Sequence, residues 1–125
     1  MSGWQIHRPR DISRTNRWAM VDLRDLADVY VRAVERKARG VLHGIDDSHD
    51  TLVGMARAIA PNGTIEKTPL EIARTAMGPF ADALAVDQVI SSAETREKLG
   101  WSPRRTFVSS VADQWNEWRS GSSRA

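Results

Sequence analysis

His43, Asp46, Asp47, His49 and Asp50 fall within eight residues, a density that raises the question of a metal. Asp46-x-Ser48-x-Asp50 opens like a calcium loop. The sixth position is then Thr51, where the loop requires glycine, and the twelfth is Arg57, where it requires a bidentate glutamate. His43 and His49 are six residues apart across an expected strand-to-helix turn, so they share no helical face of the H-E-x-x-H kind. The segment therefore reads as a solvated loop and a helix cap, with no metal site.

The other common chemistries fail on spacing. The chain has no cysteine, which removes thiolate ligands, disulfides and a cysteine nucleophile. No two of its eight glycines are spaced Gly-x-Gly, so neither a dinucleotide fingerprint nor a phosphate loop can be built. The one tyrosine, Tyr30, is followed four positions later by Val34, so a Tyr-x-x-x-Lys pair is absent. There is no Gly-x-Ser-x-Gly elbow and no carboxylate pair at matched spacing. No catalytic and no cofactor-binding residue can be named. The five tryptophans divide by context. Trp115 and Trp118 belong to an apolar helical stripe and read as core. Trp101, between Gly100 and Pro103, reads as a lid over the last helix. Trp4 and Trp18 could mark an interface, where aromatic residues are enriched.

The clearest element to position any of these is a helix over 22–40. Leu23, Leu26, Ala27, Tyr30, Val31 and Val34 form one apolar stripe. Asp22 or Asp25 caps its start, and Gly40 supplies a left-handed C-terminal stop. Arg36, Lys37 and Arg39 sit where the helix dipole favours cations, which accounts for the cluster without a ligand. Val41–Ile45 reads as a short buried strand. Ser48 or Asp50 then caps a helix with Leu52, Met55, Ala56 and Ile59 on its apolar face, ended by the turn Pro61-Asn62-Gly63. The range 64–68 reads as a second short strand. Pro69 opens a helix through Leu70, Ile72, Ala73, Ala76 and Met77, and Phe80–Val86 is helical. Val89 and Ile90 are extended. Ser91-Ser92 caps a helix over 93–99 that Gly100 terminates, and a last helix starts near Thr106 with Phe107, Val108, Val111, Trp115 and Trp118 as its stripe.

At 125 residues the chain has room for one ordinary core and not for a complete two-domain enzyme. Residues 1–17 read as a loop or disordered arm, 18–119 as the folded region and 120–125 as a flexible tail. The net charge is +2, with nine Lys/Arg against five Asp/Glu in residues 1–40. That is too sparse for a phosphate-binding face, which argues against nucleic acid as a partner. No apolar run approaches the ~20 residues of a membrane span. The arginine-rich, acid-poor start has the composition of a transit peptide, but it lacks the apolar core of a secretory signal, and a cytoplasmic location is expected.

Three stretches, in order, resemble the C-terminal part of an NAD-dependent epimerase/dehydratase of the extended short-chain dehydrogenase/reductase superfamily. Residues 16–30, with Asp25-Leu26-Ala27 at their centre, resemble the family's Val-His-Val-Asp-Asp-Leu-Ala element. Residues 40–45 resemble its Gly-x-Tyr-Asn-x-Gly strand, and 89–103 its Ser-x-Lys-Ala-x-x-x-Leu-Gly-Trp-x-Pro element. Residues 77–84 are similar to one NAD(P)-dependent oxidoreductase branch. Asp22 stands where the family often has His, Arg24 where it often has Asp, and His43 near its Tyr-Asn.

The resemblance implies an α/β fold of a partial kind: mostly helical, with two or three short strands, one of them (41–45) the edge of a parallel sheet. It implies a substrate-binding portion of an oxidoreductase, without catalysis of its own. The glycine-rich loop and Tyr-x-x-x-Lys pair of the family lie upstream of the matching region. NAD(P) is then the cofactor of the whole family architecture, with none held by this chain alone. Trp18, Met77 and Phe80 are the substrate-pocket candidates. The substrate would be a sugar nucleotide or another hydroxy or carbonyl compound. An unpaired sheet edge and an exposed apolar helix face would favour a homo-oligomer or a missing N-terminal subunit. The alternative is a non-catalytic helical protein-interaction module.

Overall fold

A computed structural model describes residues 5–7, 11–12 and 15–122. Trp4, the arginines at 8, 10 and 14, and residues 123–125 lie outside the described residues. In chain order the elements are β1 (Gln5–His7), β2 (Asp11–Ile12), α1 (Leu23–Glu35), α2 (Leu52–Ile59), β3 (Thr68–Pro69), α3 (Leu70–Met77), α4 (Phe80–Ala85), β4 (Asp87–Val89), α5 (Ala93–Leu99) and α6 (Phe107–Ser122). The described chain is thus mostly helical with short strands, as the coarse reading has it.

The strands differ from expectation. β1 and β2 arise inside the arm that shows no periodicity, because strands of two and three residues are too short to carry one. β1 pairs antiparallel with β4 (Ile6 opposite Gln88), and β2 pairs antiparallel with β3 (Ile12 opposite Thr68). The expected parallel edge strand at 41–45 is not formed. That segment is irregular and Val41 is exposed; Leu42 packs against the buried Val29–Leu99–Trp101 cluster, and just past the segment the Asp46 N–H donates to the Met20 carbonyl at 2.8 Å. Gly44 explains how it lies so close to α1: a Cβ there would stand 2.8 Å from Leu26 Cδ1. The range 64–67 is likewise irregular, and β3 starts only at Thr68.

The helices start largely where capping chemistry puts them. Asp22 caps α1 by accepting from the Arg24 N–H at 2.9 Å. The helix ends earlier than expected, at Glu35. Lys37 adopts a left-handed φ of 50° there, so Gly40 (φ 90°) stops the connection rather than the helix. Thr51, in place of Ser48 or Asp50, caps α2 by accepting from the Gly54 N–H at 3.1 Å. At the start of α6, Thr106 and Ser109 cap reciprocally: each backbone N–H donates to the other's hydroxyl, at 2.9 and 3.1 Å. Gly100 ends α5 in the left-handed conformation, as its sequence context requires. Residues 120–122, expected in a flexible tail, continue α6.

Two buried clusters form. Val29, Leu99 and Trp101 make one, with Val21, Ala33, Ala38 and Leu42 packed against it. Leu70, Ala73, Ala81 and Ala85 make the other, between α3 and α4. The burial of α1 reverses the sequence reading. Its buried residues are Asp25 and Val29, whereas Leu23 is 79% and Val34 78% exposed, with Tyr30 and Val31 also exposed. The tryptophan expectations are corrected too. Trp101, only 2% exposed, packs against α1 and α5 and not as a lid over the last helix. Trp115 and Trp118, expected in the core, are 46% and 61% exposed and stack on each other with centroids 5.0 Å apart.

Candidate functional site

The most constrained polar centre lies where α1 begins and the chain leaves α5. Asp25 sits on the first turn of α1 and is buried. One carboxylate oxygen accepts from the backbone N–H groups of Arg104 and Arg105, at 2.8 and 2.9 Å. The other accepts from Arg105 Nη1 at 2.8 Å, and the Asp25 carbonyl accepts from Trp101 Nε1 at 3.0 Å. One residue therefore fixes the whole Trp101–Arg105 connection. Charge-assisted bonds of this kind are short and strong.

Asp22 is a second buried carboxylate beside it. It accepts from Arg24 Nε and Nη2 at 3.1 and 3.0 Å and from Gln114 Nε2 of α6 at 2.9 Å. The hydrogen bonds from the Arg24 side chain hold the Asp22 carboxyl below its ordinary value, against the opposing effect of burial. The same contact raises the Arg24 guanidinium.

Two cavities open on this centre. One, of about 410 Å³, is lined by Arg24, Arg105, Ser109, Asp113, Asn116 and Glu117, among others. The other, of about 230 Å³, is more apolar, with Met20, Val21, Leu23, Phe107 and Val111 in its walls. Ser110 and Gln114 line both. The spacing 110, 113, 114, 117 places one face of α6 on the cleft. Sequence reasoning passed over these residues because a polar helix face reads as solvated. Only the packing of α6 on α2, with Gln114 bonded to Asp22 at the start of α1, turns it into a wall.

The loop tested for metal binding has a different role. Asp47 (φ 55°) accepts from the Ser92 N–H at 2.9 Å and from the Ser92 hydroxyl, and it pairs with Arg96 at 2.9 Å. Ser92 is fully buried, so its hydroxyl is closed to a substrate. Asn16 Oδ1, Asp46 Oδ2 and Asp50 Oδ2 are buried without a hydrogen-bond partner. Among the described residues no three His, Cys, Asp or Glu side chains gather as a metal would need.

The three pocket candidates line neither of these cavities. Trp18 Nε1 donates to the Leu84 carbonyl of α4 at 3.0 Å, and Asn16 Nδ2 donates to the same oxygen at 3.0 Å. Phe80 opens α4 and Met77 ends α3, both exposed. The neighbouring Arg17–Asp87 pair, at 2.6 Å, ties this segment to β4, and its hydrogen bond raises the Arg17 guanidinium. No described helix is long and apolar enough to cross a membrane. The chain matches no family model, no curated protein and no solved structure.

Proposed function

We propose that the chain is the substrate-binding, C-terminal portion of an NAD(P)-dependent oxidoreductase of the epimerase/dehydratase kind. One observation carries the reading. The first and third stretches that resemble that family are 76 positions apart at the Trp101–Asp25 hydrogen bond, yet they pack on each other there. The Trp101 indole has its partner, the Asp25 carbonyl, in the first stretch, and the Asp25 carboxylate holds Arg104 and Arg105 just past the end of the third. The cofactor loop and the Tyr-x-x-x-Lys pair come from another polypeptide segment, so the chain contributes surface and not the hydride step. Trp18, Met77 and Phe80 are the residues that would meet the substrate, a sugar nucleotide or another hydroxy or carbonyl compound.

The test is a two-dimensional NMR titration of the chain with UDP-glucose and, separately, with NADPH. Saturable shifts at Trp18 and around Met77 and Phe80 with UDP-glucose, and none with NADPH, are expected. Tight NADPH binding, or no response to UDP-glucose or to a panel of small hydroxy-carbonyl compounds, overturns the reading. A second reading, a protein-interaction module, is favoured by the exposed apolar stripes of α1 and α6.

A further inference from the structure

The two cavities beside Asp22 and Asp25 differ in chemistry and have Ser110 and Gln114 in common. Those two residues hold each other in place. Gln114 Nε2 donates to Ser110 Oγ at 3.1 Å and to the Asp22 carboxylate at 2.9 Å, and the Ser110 hydroxyl donates to the Thr106 carbonyl at 2.7 Å. The 230 Å³ cavity has the apolar walls Met20, Val21, Leu23, Phe107 and Val111. The 410 Å³ cavity has charged walls. Small-ligand sites of ~300–1,000 Å³ combine apolar surface with a few placed polar groups in this way.

The charges of the larger cavity are sorted by element. Arg24 comes from the first turn of α1 and Arg105 from the connection before α6, whereas Asp113, Asn116 and Glu117 come from α6. The arginines are already anchored. Arg24 holds Asp22 through Nε and Nη2, and Arg105 holds Asp25 through Nη1. A guanidinium has five N–H donors, so each keeps others to offer. Among the described residues, no side chain forms an ion pair with Asp113 or Glu117; the arginines pair with Asp22 and Asp25 instead. Opposite charges therefore line one cavity without closing on each other.

We propose that the two cavities together bind a free α-amino acid with an apolar side chain. Its carboxylate lies on Arg24 and Arg105, its ammonium on Asp113 and Glu117, and its side chain in the apolar cavity. Each part of that ligand answers one feature. A simple anion suits the arginines but meets the acidic wall, and a simple cation meets the reverse; a zwitterion is favoured by both walls. The arginines are held by their carboxylates before the ligand arrives, which reduces the side-chain freedom lost on binding. The apolar cavity selects against an amino acid with no side chain to fill it. The proposal does not rest on the substrate reading, because Trp18, Met77 and Phe80 line neither cavity.

Calorimetric and NMR titrations of the intact chain with L-phenylalanine test this, beside glycine, 3-phenylpropanoate and 2-phenylethylamine, each of which lacks one part of it. Saturable binding of L-phenylalanine is expected, at least ~tenfold tighter than any truncated probe, with amide shifts within 107–117. Asp113→Asn combined with Glu117→Gln alters exposed side chains, so the helical circular dichroism should be unchanged. The double variant should bind L-phenylalanine at least ~tenfold more weakly and should not lose affinity for 3-phenylpropanoate. No saturation with L-phenylalanine, equal binding of any truncated probe, a double variant that binds like the wild type, or shifts confined to Met77 and Phe80 overturns the proposal. The UDP-glucose titration is read at Trp18, Met77 and Phe80, so the two readings fail separately.

Discussion

The two buried clusters hold the molecule by opposite means. In the first, Val29, Leu99 and Trp101 come from segments some 70 residues apart, and the contact is directed. Trp101 is oriented by its bond to the Asp25 carbonyl, and the Asp25 carboxylate fixes the next turn of chain. In the second, Leu70, Ala73, Ala81 and Ala85 come from two helices adjacent in sequence. Their methyl groups let α3 and α4 approach closely, and the exposed Arg74–Asp82 pair at 2.6 Å clamps the outside. Exposed pairs of this kind contribute ~0–1 kcal/mol, so alanine packing dominates there. The difference teaches that long-range closure in this chain relies on one large aromatic residue and one buried carboxylate, whereas the local hairpin relies on the absence of bulk.

Substitutions can break that contrast. Trp101→Ala removes the largest buried side chain of the first cluster and the indole N–H that the Asp25 carbonyl accepts from. It should cost ~3–5 kcal/mol in urea unfolding, the range for large aromatic truncations. Ala81 is fully buried, so Ala81→Leu should cost ~1–3 kcal/mol by overpacking. Amide exchange should place its damage in α3 and α4, with α1 and α5 still protected. A larger cost for Ala81→Leu than for Trp101→Ala would reverse the comparison.

The smallest effect is a pH dependence confined to the first region. The folded-state pKa of Asp22 is depressed by Arg24. Its contribution is therefore fully present above the ordinary carboxylate value of ~3.9 and is lost as pH falls through the lower folded value. Thermal melts between pH 6 and 3 should show the wild type losing its advantage over Asp22→Asn as the solution is acidified. A constant gap between the two would show that the Asp22 charge does not support this region.

How far the sequence could be read follows the range of each interaction. α5 was legible almost to the residue, because its ending is set locally by Gly100, whose left-handed conformation no larger residue adopts cheaply. The existence of α1 was legible from its stripe, but its orientation was not. Nothing local says that Asp25 will meet backbone donors 80 residues away and be buried, turning Leu23 and Val34 outward. The candidate cleft was hidden for the same reason: Arg24, Arg105 and Glu117 become neighbours only when α6 packs on α2 and Gln114 bonds Asp22 at the start of α1.

By itself the sequence determined the helices: six of them with their approximate limits, a cap at Asp22 or Asp25, a start near Thr106, the stop at Gly100, and the lack of any phosphate loop or acid–base pair. Propensity, capping and spacing act over a few residues and are written in order along the chain. The tertiary structure alone decided which face each helix buries. It left 41–45 without a strand partner, exposed Trp115 and Trp118, and took Trp101 into the core. Burial and pairing depend on what lies across the contact, and for Trp101 that is Asp25, 76 positions away.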